Sequence, residues 1–244
     1  MKKLKLFYFI PIILLIIGTV STIILVVESD KNYILVEKSR FNNVAREYLT
    51  LIQDEINDNI YELVKIGQIF ILYKNTTRLQ FRTYVLDILS NNQGFEAISW
   101  NIQINQTERQ NLEKETQLYY SNPNITFKEI NQNGQLQVSK IKSSYFNVVK
   151  YIEPIESYLG ALLLVSSSQI DRNITINKAF NTRNPSATEP VKLVTEKTLQ
   201  PGILIFNPVF NIDFTKFYGY STGIFRLGSL LLKVLNTINK DIDV

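Results

Sequence analysis

The sequence contains neither cysteine nor histidine, and it has one methionine and one tryptophan among its 244 residues. A cysteine nucleophile, a histidine general base and a zinc site of the Cys/His kind are therefore excluded. Catalysis by carboxylates alone, or an all-oxygen calcium site, would need clustered Asp and Glu side chains, and the sequence shows no such cluster. We expect a protein that is not an enzyme, with no catalytic residues, no metal site and no cofactor.

An excess of basic charge is also missing once the charges are located along the chain. The formal net charge is +4, from 26 Lys and Arg against 22 Asp and Glu. Lys2, Lys3 and Lys5 supply three of these positive charges, so the chain from Glu28 onward is nearly neutral. Nucleic-acid binding needs a basic face, and no run of Lys and Arg provides one. Nucleic acid is therefore not an expected partner.

Charged residues are absent from one long apolar run, residues 6–27, which reads LFYFIPIILLIIGTVSTIILVV. A helix of this length would cross the hydrocarbon layer, about 30 Å thick. The run exceeds the apolar core of a signal peptide, and the exit VVESD offers no small-x-small cleavage site. Three lysines precede the run, whereas Glu28 and Asp30 follow it. The positive-inside rule then predicts a single-pass protein of the cytoplasmic membrane, with the N-terminus in the cytoplasm and residues 28–244 extracytoplasmic.

Glycine and proline are absent from residues 28–66, and apolar residues there recur at spacings of three and four. This pattern predicts a long amphipathic stalk helix that continues from the membrane segment. Its apolar stripe, which includes Tyr33, Val36, Phe41 and Val44, is longer than one small domain needs. We therefore expect a weak homodimer through this helix.

Beyond residue 67 the pattern mixes short helices with alternating strands. Helices are predicted at 76–89, 107–120, 168–180 and 229–235, and a tight hairpin at 131–134. Strands are predicted at 95–104, 145–155, 158–167, 190–196, 202–210 and 220–227. Separate strands with helices beside them indicate an α+β fold rather than a parallel βαβ sheet.

Seven short motifs occur in one order along residues 76–244. They are ISW (98–100), TERQNLE (107–113), YIEP (151–154), IDRN (170–173), TEPVKLV (188–194), QPGILIFNPVF (200–210) and GIFRLGSLL (223–231). In this order and spacing they resemble the CHASE family, the extracytoplasmic sensory domain of receptor histidine kinases and nucleotide cyclases.

The resemblance implies two PAS-like antiparallel sheets after the stalk, one distal to the membrane and one proximal. The expected division is 1–27 for the cytoplasmic tip and membrane helix, 28–68 for the stalk, 69–210 for the distal ligand-sensing region and 211–244 for the proximal region. The function it implies is the small-molecule-sensing input module of a transmembrane signalling receptor, whose output domain is absent from this chain. The alternative is a membrane-anchored extracytoplasmic binding or structural protein without signalling output.

The resemblance also implies a ligand pocket in the distal sheet, for which we predict Tyr151, Leu164, Thr188, Ile205 and Asn207 as lining residues. In members that bind cytokinins, an acidic residue before the IDRN-like motif anchors the purine. Leu164 occupies that place here, and residues 161–165 read ALLLV. A leucine would leave a purine N–H unpaired, at a cost of about 1–3 kcal/mol. We therefore expect the small-molecule ligand not to be a cytokinin. Trp100 and Arg172 are expected to be structural.

Overall fold

The computed structural model describes residues 2–73, 75–92, 94–193, 201–230 and 232–233, with side chains from residue 14 onward. The chain divides into two compact units, residues 1–51 and 52–244. The first helix, α1 (Lys2–Leu72), contributes to both units and confirms the long helix expected over 28–66. In the first unit, Tyr33, Val36 and Phe41 are exposed.

The membrane span expected at residues 6–27 lies within α1. Among the described residues, no helix has a stretch that is long and apolar enough to cross a membrane. The side chains of residues 6–13, which form the first part of the expected span, lie outside the described residues.

The elements that follow α1 match the sequence pattern closely. Helix α2 (Arg78–Asn91) begins at Thr77, whose side chain accepts a hydrogen bond from the Gln80 backbone N–H in a capping box. Strand β1 (Ala97–Asn105) and helix α3 (Arg109–Tyr120) come next. The short strands β2 (Lys128–Ile130) and β3 (Leu136–Val138) form the expected hairpin.

Strand β4 (Tyr145–Glu153) is confirmed, but the strand expected at 158–167 is wrong. Helix α4 (Ile155–Tyr158) and two 3₁₀ turns at Leu159–Ala161 and Ser166–Ser168 occupy this segment. Residues 161–165 are all buried, and Leu163 has a left-handed backbone with φ of 57°. The left-handed residue and the 3₁₀ turns interrupt the extended backbone that a strand requires, and Leu164 and Val165 form isolated bridges to Lys128 and Val148.

The remaining elements are helix α5 (Ile170–Thr182) and four strands. These are β5 (Ser186–Ala187), β6 (Val191–Lys192), β7 (Pro201–Phe210) and β8 (Phe217–Arg226). Residues 227–230 are helical, as expected for the start of the segment 229–235. The end of the strand expected at 190–196 and the end of that last helix lie outside the described residues.

Six strands form one antiparallel sheet in the order β4-β1-β8-β7-β5, with β6 also pairing to β7. The fold is therefore α+β, with a long N-terminal helix and antiparallel sheets. The division expected after residue 210 falls between β7 and β8, which are neighbours in this sheet. Within the described residues, the second sheet is the β2–β3 hairpin.

The two faces of the six-stranded sheet carry two separate apolar cores. One core joins the sheet to α2 and the last turns of α1, including Leu63, Ile66 and Phe70. The other joins it to α3, α5 and the 155–165 segment. Strand β1 serves both cores, because Ile98 and Trp100 belong to the first and Ala97 to the second.

A bulge in β4 changes which side chains face which core. Trp100 pairs with Tyr151, but Asn101 pairs with Val149, so Lys150 is an extra residue in β4. The backbone carbonyl of Lys150 accepts a hydrogen bond of 3.0 Å from the Arg78 guanidinium. The bulge places Tyr151 on the face toward α1 and Val149 on the opposite face.

Candidate functional site

A small enclosed cavity lies on the face of the sheet opposite α1, and it contains about 30 Å³ of free space. Strands β1, β4, β7 and β8 form one wall, while α5 and the 158–166 segment form another. The apolar lining comes from Val149, Ile152, Ala161, Leu164, Leu204 and Ile224, and Leu193 also contributes. Such walls, with a few polar groups set into them, are usual in sites for small molecules.

The polar part of the lining is arranged along β1 and β8. Ser99 donates a hydrogen bond of 3.3 Å to Oδ1 of Asn101, whose Nδ2 donates one of 2.9 Å to Oγ1 of Thr222. These three side chains are buried. Their mutual hydrogen bonds hold the amide of Asn101 in a fixed orientation at the cavity wall.

Arg172 supplies the charged group of the cavity. It lies in the first turn of α5, on the helix face formed by the buried residues Arg172, Thr175, Ile176 and Ala179. Only 4% of its surface is exposed, and its Nε has no hydrogen-bond partner among the described residues. Burial lowers the pKa of Arg172 to about 10, so the guanidinium remains charged at neutral pH. A buried cation without an anion is energetically unfavourable, so the arrangement favours a ligand with negative charge.

The profile of the CHASE domain family matches residues 74–244. The chain belongs to the CHASE family. The order of motifs in the sequence therefore indicated the family correctly.

Other comparisons give more distant likenesses. A search of the curated proteins finds no match to this chain. One similar solved structure is an extracellular ligand-binding receptor from Desulfohalobium retbaense, at 12% identity and a TM-score of 0.41, with 77% of this chain and 26% of that chain covered. Another is the ligand-binding domain of the Pseudomonas aeruginosa amino-acid chemoreceptor PctC in complex with GABA, at 11% identity and a TM-score of 0.38. That match covers 79% of this chain and 63% of that chain. This CHASE chain thus spans about a quarter of the first structure and under two thirds of the second.

Of the five residues predicted to line the pocket, Leu164 lines the enclosed cavity. Thr188 lies at the sheet edge, where its backbone N–H and its Oγ1 bond to the backbone of Leu204. Ile205 and Asn207 share one face of β7, as strand alternation predicts, but that face packs against α1. The ligand-binding roles of these residues remain predictions.

Tyr151 lies on the same face as Ile205 and Asn207, and it lines a separate open cleft of about 600 Å³. Its hydroxyl donates a hydrogen bond of 3.3 Å to the Thr76 carbonyl, and burial raises the pKa of this hydroxyl. Arg78, the buried cation of the cleft, contacts the Tyr119, Tyr120 and Tyr151 rings at about 5 Å. Tyr151 and Arg78 in the cleft therefore already have protein partners, whereas Nε of Arg172 in the cavity has none among the described residues.

Sequence reasoning missed the polar lining of the cavity, namely Ser99, Asn101, Thr222 and Arg172. For Arg172 a signal was present, because residues 172, 175, 176 and 179 follow the i, i+3, i+4, i+7 spacing of a buried helix face. A charged residue on such a stripe is unusual in a core.

Glu153 and Glu156 are two carboxylates that lie close in sequence, on either side of Pro154. Both pair with Arg82, at 2.8 Å from its Nη1 to Glu153 and 2.7 Å from its Nη2 to Glu156. Their oxygens are thus used to hold α2 to the end of β4. In the described part of the chain, no group of three acidic side chains is placed to hold a metal ion.

Proposed function

We propose that this CHASE domain is the extracytoplasmic, small-molecule-sensing input module of a transmembrane signalling receptor. The observation that carries the proposal is the enclosed cavity with the charged Arg172 in its wall, whose Nε is unpaired within the part of the chain that the structure describes. A buried charge without a counterion is costly in a protein that only needs a stable core. Membership of a family of sensory domains supports the same function.

The sensing role is tested by a thermal-shift screen of the full chain in detergent against small organic acids, amines and sugars. Replacing Leu164 with Trp fills the cavity, so a ligand of this site should raise the Tm of the wild type but not that of Leu164→Trp. The matched control is Leu118→Trp on α3, where the side chain is 80% exposed. If every stabilising compound acts equally on both variants, the cavity is not the sensing site.

We also propose that residues 6–27 cross the membrane and that residues 28–244 lie outside the cytoplasm. The uncharged run and the three lysines before it support this orientation. A reporter that is active only outside the cytoplasm, fused after Val244, should be active. Activity of a cytoplasm-only reporter at the same position would refute the orientation.

Signalling across a membrane would use α1, and we propose that its apolar stripe forms a weak parallel homodimer. Tyr33, Val36 and Phe41 are each more than 60% exposed in the single chain. Replacing these three residues by Ser should abolish self-association in analytical ultracentrifugation. Monomeric wild type at high concentration would contradict the dimer.

We propose further that the six-stranded sheet is the distal, PAS-like sensing unit, and that it includes β8. The pairing of β8 with both β1 and β7 supports this extent. Residues 234–244, the end of the expected proximal region, lie outside the described residues.

A further inference from the structure

Arg172 differs from the other buried and half-buried arginines in that its Nε has no hydrogen-bond partner among the described residues. Arg78 donates a hydrogen bond to the Lys150 carbonyl, and Arg109 donates one of 2.8 Å to the Ser139 carbonyl. Arg82 forms ion pairs with two glutamates. Within the described residues, no acidic side chain lies within ion-pair distance of Arg172. The domain thus satisfies its other buried guanidinium groups and leaves this one facing the cavity.

The electrostatic surroundings of Arg172 favour an anion in two ways. Its own charge is almost fully removed from water, where a counterion would interact with it strongly. It also lies in the first turn of the 13-residue helix α5, whose N-terminus carries partial positive charge. The helix N-terminus disfavours a cation in that turn. An anion beside Arg172 would be favoured by the guanidinium charge and by the helix N-terminus.

The size of the cavity limits the anion to a few atoms. A cavity must offer roughly 10–15 Å³ of this kind of space to admit one water. The 30 Å³ found here therefore admits on the order of two or three water-sized groups. A carboxylate with at most one methyl group meets this limit, and planar carboxylates match the guanidinium fork.

Building on the sensory function proposed above, we propose that the cavity binds a short monocarboxylate, of formate or acetate size, whose carboxylate pairs with the Arg172 guanidinium. The apolar side chains of Leu164 and Leu204 then enclose the remaining carbon. A ligand of four heavy atoms makes few contacts, and this limits its affinity. The Kd is accordingly expected between about 0.05 and 1 mM.

The test is isothermal titration calorimetry of the full chain in detergent with sodium acetate and sodium formate. Acetamide, a neutral molecule of nearly the same shape, and sodium chloride at equal ionic strength are the ligand controls. Acetate should bind with the expected Kd, and acetamide should bind at least 10-fold more weakly. Arg172→Met should lose acetate binding, whereas Arg172→Lys, which keeps the charge, should retain part of it.

The Tm without ligand separates a binding role from a structural one. Because Arg172 is buried and forms no ion pair with the described residues, the Tm of unliganded Arg172→Met should equal or exceed that of the wild type. A lower Tm together with unchanged acetate affinity would overturn the proposal. The comparison of acetate with acetamide on the wild type stands even if the Met variant does not fold, since equal affinities would also overturn it.

Failure of this inference can be told apart from failure of the sensory function. If acetate and formate do not bind, but a neutral or cationic compound binds the wild type and not Leu164→Trp, the cavity is a sensing site for another ligand class. If no compound distinguishes the wild type from Leu164→Trp, both proposals fail.

Discussion

Gly67 on α1 lies in close contact with Val209 on β7: a Cβ atom at position 67 would lie 2.6 Å from Cγ2 of Val209. Nearby, the Ser221 hydroxyl donates a hydrogen bond of 2.6 Å to the Leu63 carbonyl, and Asn207 donates one of 2.9 Å to Oγ of Ser221. The missing side chain at Gly67 thus allows β7 and β8 to bond directly to the backbone of α1.

Replacing Gly67 with Ala should destabilise the domain by about 1–2 kcal/mol. Alanine favours a helix by about 1 kcal/mol over glycine, but overlap with the stiff Val209 side chain costs more. Urea unfolding measures the effect. In a Val209→Ala background the overlap disappears, so the same substitution should become neutral or stabilising. Equal effects in both backgrounds would show that helix and sheet are not in close contact.

The burial of Glu153 predicts how the unfolding free energy of the domain depends on pH. Its side chain is only 2% exposed, and desolvation raises its pKa, although Arg82 and the Ile155 N–H act in the opposite direction. In the unfolded chain this carboxyl ionises near pH 4.3. The stability it contributes is therefore full below that pH and is lost as the pH rises through the higher folded pKa.

Glu153→Gln removes this ionisation and leaves Arg82 paired with Glu156. The unfolding free energy of the wild type minus that of the variant should fall as the pH rises above the unfolded pKa of about 4.3 and through the raised folded pKa, measured by urea unfolding at several pH values. A difference that increases with pH would mean that the pair with Arg82 outweighs the cost of burial.

Arg78 is predicted to be a structural cation of the α1 side of the sheet. It is buried, it donates to the Lys150 carbonyl and it contacts three tyrosine rings. Arg78→Met leaves the bulge carbonyl unpaired and should lower the unfolding free energy by about 3 kcal/mol. Arg78→Lys should have a smaller effect, and Lys178→Met on the exposed face of α5 should change little. This is the reverse of the result expected at Arg172.

Leu164 should prevent cytokinin binding. It is buried in the cavity wall, it offers no acceptor to a purine N–H, and the cavity is far smaller than a purine requires. Calorimetric titration of the wild type with isopentenyladenine should show no binding at micromolar concentrations. A gain of binding in Leu164→Asp would support the alignment of Leu164 with the family's acidic position, whereas micromolar binding by the wild type would contradict it.

Much of the architecture could be predicted from local patterns, because periodicity and caps act over a few residues. The stalk helix, the helix expected at 76–89 and the β2–β3 hairpin followed from such signals. The 158–167 segment did not, since an unbroken apolar run is compatible with a strand and with any other fully buried path.

The lining of the site was harder to predict, because alternation shows which residues share a face but not what covers that face. Ile205 and Asn207 do lie together, yet they face α1, and the intervening Phe206 faces the other core. The bulge at Lys150 turns Tyr151 to the face opposite that of Val149, and residues 145–153 contain no glycine or proline that would indicate a bulge.

The alternation of β1 separates two properties that a receptor has to adjust. Ser99 and Asn101 form part of the cavity, whereas Ile98 and Trp100 form part of the contact with α1, where Trp100 stacks on Phe70 with ring centroids 3.7 Å apart. Under the proposed sensing role, substitutions at 99 and 101 would alter chemical selectivity while the helix contact is retained, and substitutions at 98 and 100 would alter transmission to α1 while selectivity is retained. Neighbouring positions of a single strand would then allow descendants of one gene to acquire new ligands while the contact with α1 is kept.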